Sequence, residues 1–196
     1  LYIVQVDENT YSQTNGWVSD AAKRKSTYLM ERLRDKYDKD FRSCISSKDI
    51  REDVEGKLKK IGVEKPKTEH YGNQKSDNSF QGEKAGLLVG AIDPGDDSII
   101  AYLALLGKVA FPEKKDEEDR EEDENPRARG RGFVGEDADV AEEIVESVRE
   151  ENIAQAIGRF ARNPEKDDSR AIVYVWTDAV YDRLVDEKIN FDKKME

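Results

Sequence analysis

The chain holds a single cysteine, Cys44, and a single histidine, His70, among 196 residues. One cysteine excludes an internal disulfide and any multi-cysteine metal site within this segment. One histidine removes the basis for a histidine-built metal site, and no metal ligand is assigned. Cys44 is expected to be a small buried hydrophobe on a strand. His70 is expected to be a partly buried ring with a structural hydrogen bond. No apolar run is long enough to span a bilayer and no signal-peptide pattern is present, so a cytoplasmic protein without a membrane partner is expected.

Charge is abundant. Aspartate and glutamate number 44 against 33 lysines and arginines, a net charge of -11, and charged residues make up 39% of the chain. That balance argues against nonspecific nucleic-acid binding through bulk charge, while leaving room for a local basic groove. It also fits a salty cytoplasm, where the screening length is only a few Å at molar salt. The length suits one domain with a sizeable core. The chain starts at Leu1, inside the apolar run Leu1-Tyr2-Ile3-Val4, so a domain cut from a longer protein is expected.

The spacing of apolar residues predicts alternating strands and helices. Leu1 to Val6, Phe41 to Ile45, Pro66 to Tyr71, Gly86 to Ile92 and Ala171 to Trp176 read as strands. The run Gly86 to Ile92 is continuously apolar, as in a strand buried on both faces of a parallel sheet. Helical spacing is predicted from about Ser19 to Tyr37, from Ser46 or Ser47 to Gly62, over Ser98 to Leu106, over Ala138 to Phe160 with a break near Glu151-Asn152, and over Asp178 to Val185. Residues 112–132 read as a mobile charged insertion, because nine of the twelve residues from Glu113 to Glu124 are acidic. Strands separated by helices imply a parallel sheet covered on both faces, with ligands at the carboxyl ends of the strands.

The richest stretch is Gln155-Ala156-Ile157-Gly158-Arg159-Phe160-Ala161-Arg162. Gln155, Arg159 and Arg162 share one helical face by their spacing. Gly158 lets a ligand approach the backbone beside Arg159. Arginine spreads phosphate charge through a planar fork that never loses its proton. An amphipathic helix with solvated arginines is the alternative.

This run resembles motif VI of superfamily 2 helicases, Gln-x-x-Gly-Arg-x-x-Arg, on the second RecA-like lobe; all four defining positions match. The resemblance implies an α/β, RecA-like three-layer sandwich with a mostly parallel sheet, spanning residues 1–196 as the second helicase lobe. It implies that Arg159 and Arg162 act as fingers on the γ-phosphate of ATP, with Gln155 holding the phosphate or the attacking water. Magnesium would be held mainly by an N-terminal lobe of the same parent chain, because no Gly-x-x-x-x-Gly-Lys-Ser/Thr and no Asp-Glu-x-His pair occurs here. Ser76-Asp77-Asn78-Ser79-Phe80 is similar in outline to motif V of the XPD-like branch, although that motif's acidic residue and glycine are missing. Asn78 and Asp96 join Gly158 as expected cofactor contacts. Asp96 equally suits a helix start, at the positive end of the dipole.

Single-stranded nucleic acid, most simply DNA, is the implied partner. Ser46 and Ser47, at the place of motif IV, would meet its phosphates, or serve only as helix caps. Ser12, Tyr71 and Ser76 complete the implied contacts, and Tyr11 or Trp17 would stack on a base. The competing expectation is a non-catalytic interaction module that keeps the RecA-like scaffold within a replication or repair assembly.

Overall fold

The computed structural model describes residues 1–6, 20–72, 79–92, 94–113, 132–161, 170–177 and 180–189, with side chains described from residue 23 onward in the first helix. Six strands form one all-parallel sheet. In chain order they are β1 (Tyr2–Val6), β2 (Phe41–Ser46), β3 (Lys67–His70), β4 (Ala85–Val89), β7 (Ile172–Trp176) and β8 (Glu187–Ile189). They lie side by side as β3-β2-β4-β7-β1-β8. Two further strands, β5 (Phe111–Pro112) and β6 (Phe133–Val134), pair antiparallel as a separate ribbon. The helices are α1 (Asp20–Tyr37), α2 (Arg51–Lys60), α3 (Asp96–Leu105) and α4 (Ala138–Gly158). The expected α/β architecture, with a parallel central sheet and helices packed on it, is what the chain adopts.

Strand side chains alternate between two cores, because successive residues point to opposite faces. Val4 and Val6 of β1, Leu87 and Val89 of β4, and Tyr174 and Trp176 of β7 enter one core. There they meet Leu29, Met30 and Leu33 of α1 and Val54 and Leu58 of α2. Ile3, Leu88, Val173 and Val175 enter the other, under Ile153, Ala156 and Ile157 of α4. Burial on both faces is why β4 and β7 read as unbroken apolar runs, and β1 as one interrupted only by the buried Gln5.

Several boundaries differ from the sequence expectation. The β4 strand ends at Val89, and Gly90, with φ 70°, turns the chain away from the sheet. No break interrupts α4 at Glu151-Asn152; Asn152 Nδ2 donates to the Val148 carbonyl at 2.7 Å, so its amide serves the helix instead of opening it. Of the helix expected over Asp178 to Val185, the described residues 180–185 hold one 3-10 turn, Asp182–Leu184, and the edge strand β8 follows. The expected insertion is flanked by the β5–β6 ribbon, closed by Glu113 N donating to Gly132 O at 2.8 Å; residues 114–131 lie outside the described residues.

Candidate functional site

The arginine-bearing segment begins where α4 ends. Ile153, Ala156 and Ile157 bury the sheet-facing side of that helix, so the intervening Gln155 and Gly158 are left exposed, and Arg159 is partly exposed just past its end. Gln155 Nε2 donates to Glu151 Oε1, one turn back, at 3.2 Å. Arg159 N donates to the Ala156 carbonyl and Phe160 N to the Ile157 carbonyl, closing the last turn tightly. Arg162, the second expected finger, lies outside the described residues, as do Ser12, Ser76 and Asn78 together with Tyr11 and Trp17.

The position of this helix end corrects one expectation. Phe160, next to Arg159, lies over Gly86, the second residue of β4, and its ring is 5.3 Å from that of Phe80, just upstream of the same strand. Arg159 therefore stands at the amino-terminal end of the sheet, not at the carboxyl rim where ligands of open α/β sheets collect. The cause is topological. The α4 helix returns the chain from the end of β4 to the start of the parallel strand β7, so it runs against the strands and delivers its last turn to their starts.

The carboxyl rim itself is closed where contacts were expected. Ser46 and Ser47 are buried, and the Ser46 hydroxyl donates to the Ser47 carbonyl at 3.1 Å. Neither serves as the expected cap: Ser47 precedes a 3-10 turn, Lys48–Ile50, with no side-chain capping bond. Tyr71 is 5% exposed, and its hydroxyl donates to the carbonyls of Gly90 at 2.9 Å and Val89 at 3.3 Å. Its backbone N–H donates to the Ser46 carbonyl at 2.9 Å. Tyr71 thus ties the ends of β2 and β4 together from the end of β3. All three residues are buried at the rim, at 5% exposure or less. Asp96 opens α3 behind Gly95, whose φ of 77° suits glycine, so its place is the helix start. His70 Nδ1 lies 2.8 Å from the Tyr71 carbonyl, the structural bond expected of it.

Two polar clusters escaped the sequence reading. Glu83, 6% exposed, receives two hydrogen bonds from Arg42, at 2.9 and 2.8 Å, and one from Lys67 at 2.6 Å. Arg42 reaches it from an irregular step of β2, where the register against β4 slips between Phe41 and Ser43 and re-aims the side chain. Burial alone would push the Glu83 carboxyl up; the two cations outweigh it and hold it below the ordinary range. On the opposite face the hydroxyls of Tyr37 and Tyr174 meet at 2.8 Å, and Lys36 Nζ donates to Tyr174 at 3.0 Å. Burial, reinforced by the Tyr174 hydrogen bond, pushes Tyr37 up to about 12. Both clusters join residues distant in sequence, so no local motif announces them. Among the described residues no group of three or more metal-ligating side chains comes together, and no helix is long and apolar enough to cross a membrane.

No protein-family model, curated protein or solved structure matches this chain.

Proposed function

We propose that this chain is the second RecA-like lobe of a two-lobe, nucleic-acid-dependent ATPase, most simply a DNA helicase, that lends arginines to an ATP site completed by another lobe. The observation that carries this reading is the conjunction of an all-parallel, two-faced sheet with Gln155, Gly158 and Arg159 on the accessible end of the helix that feeds β7. Arg159 stands partly exposed just past the end of a helix whose sheet-facing side is buried.

In this reading the nucleotide lies outside the lobe, against the α4 end, and is cradled by groups the lobe lacks. Arg159, with Arg162, spreads charge that develops on the γ-phosphoryl oxygens. Gln155, on the same helix side, accepts or donates a hydrogen bond at the phosphate or the attacking water once it leaves Glu151. A fully engaged finger of this kind raises kcat by about 10³- to 10⁵-fold. Alone, the lobe neither holds ATP tightly nor hydrolyses it.

The test is Arg159→Ala in the full-length parent, assayed for ATP hydrolysis under saturating single-stranded DNA. A fall of about 10³-fold or more supports the reading. Unchanged turnover ends it and leaves the second reading, a non-catalytic interaction module. That second reading draws on the burial of Ser46, Ser47 and Tyr71, which removes three of the expected nucleic-acid contacts.

A further inference from the structure

Past its Asp96-Asp97-Ser98 start, the helix α3 is apolar all round. From Ile99 to Leu106 eight consecutive residues are apolar, yet only Ile99 and Leu103 are buried. A helix hydrophobic on every side is normally covered on every side. Here Leu105 is 83% exposed, Leu106 62% and Tyr102 50%. The apolar surface continues through Val109 onto the β5–β6 ribbon, where Phe111 and Val134 face each other across the ladder and are both exposed. Beneath them, Ala110, Phe133 and Ala141 join Ile99 and Leu103 in a small separate core, so the surface rests on packed structure. Counting Ile100, seven large apolar side chains of the helix and ribbon are exposed, more than singly scattered surface residues account for.

Carboxylates outnumber cations on the described rim of this surface. Lys108 Nζ is engaged by Asp137 at 2.8 Å, and the same ammonium feels Asp139 and Glu136. On the other side of the ribbon the carboxylates of Glu113 and Glu142 both approach Gly132, each 3.4 Å from where a Cβ would stand. Among the described residues, five carboxylates against one lysine make a negative frame around an apolar centre. A second copy would bring two such frames together, and the chain already carries a net charge of -11. An anionic bilayer or a nucleic acid would meet the same repulsion.

We propose that the face built by α3 and the β5–β6 ribbon docks a basic amphipathic segment of a partner protein, one that lays apolar side chains across Tyr102, Leu105, Leu106 and Phe111 and sets lysine or arginine against Glu113, Glu136 and Glu142. The pairing follows the helix-in-groove mode, in which apolar anchors supply affinity and flanking charge supplies orientation. It is independent of the nucleotide reading, because the face rests on a core separate from the one that packs Phe160, next to Arg159.

The test uses the full-length protein and two labelled synthetic helical peptides with identical leucine faces, one with lysines and one with glutamates on the polar side, read by fluorescence anisotropy. The lysine peptide should bind, and the glutamate peptide should bind at least about ten-fold more weakly. Leu105→Ser/Phe111→Ser should weaken the lysine peptide by about ten-fold or more with the melting temperature unchanged, since both side chains are exposed. Glu113→Lys/Glu142→Lys should weaken the lysine peptide and strengthen the glutamate one. Absence of binding by the lysine peptide, equal binding by both peptides, or equal binding by wild type and Leu105→Ser/Phe111→Ser overturns the proposal. So does concentration-dependent self-association, seen by sedimentation, that Leu105→Ser/Phe111→Ser abolishes, and so does capture by phosphatidylcholine vesicles in preference to the lysine peptide.

Discussion

Gly86 and Phe160 fit together as a residue without a side chain beneath a fully buried ring: a Cβ at Gly86 would overlap the Phe160 ring itself. The contact fixes where α4 ends on the sheet and so fixes where Arg159 stands. The ring cannot yield freely, because Phe80 lies against it with the planes tilted by 56°.

Gly86→Ala is therefore expected to destabilise the fold by about 1–3 kcal/mol through overpacking. In a chain of this size the melting temperature falls by roughly 2–4 °C for each kcal/mol. Gly86→Ala/Phe160→Leu should lose less than the sum of the two single changes, because the smaller side chain vacates the space the methyl needs. Full additivity in thermal melts would show that the two residues do not share one site.

The Glu83 cluster carries a pH signature. Its carboxyl is held below the ordinary value of 4.5, despite burial, by Arg42 and Lys67. The folded state thus binds the Glu83 proton less readily than the unfolded state. The stabilisation is fully present above about pH 4.5 and is lost as pH falls through the lower, folded value. Glu83→Gln should cost about 1–2 kcal/mol near neutral pH, because the amide keeps one accepting oxygen but loses the charge, while Arg42 and Lys67, 38% and 34% exposed, stay partly solvated. It should also flatten the acid limb of a stability-versus-pH curve measured by urea titration. An acid limb as steep as that of wild type would show that other carboxylates carry it.

Cys44 should be chemically silent. Burial pushes its thiol far up, leaving almost no thiolate at neutral pH. An aromatic disulfide reagent should leave the native protein unmodified and label it fully in denaturant, at a rate set by opening of the β2 core. Rapid labelling of the folded protein would mean that β2 opens far more often than its packing allows.

The parts of the fold legible in the sequence are those whose physics is local. β4 and β7 are buried on both faces, and an unbroken apolar run shows that directly; β1 and β2 are buried as well, but Gln5, Arg42, Ser43 and Ser46 interrupt their runs. Glu187-Lys188-Ile189 carries no such signal, because β8 is an edge strand held mostly by backbone pairing to β1. The two-residue strands of the ribbon are too short for any period. The direction of α4 relative to the strands was implicit in a parallel crossover, yet a motif read along the chain does not reveal at which end of the sheet it lands. Burial of polar side chains is the least legible property. Serine and tyrosine near strand ends look like ligand contacts until the surrounding chain folds over them.

Tyr71 puts that last point to a measurement. Its hydroxyl satisfies carbonyls at the end of β4 from a nearly sealed position. Tyr71→Phe keeps the ring and removes only the donor, so two buried acceptors lose a partner. The expected cost is about 1–2 kcal/mol in stability. Under the proposed helicase reading, affinity for single-stranded DNA should not change, because the removed hydroxyl bonds to carbonyls at the end of β4 from a buried position. A weakened DNA complex with unaltered melting temperature would reverse this assignment and return Tyr71 to the rim as a contact residue. Loss of stability with unaltered DNA affinity would identify it as the bolt that joins the ends of β3 and β4.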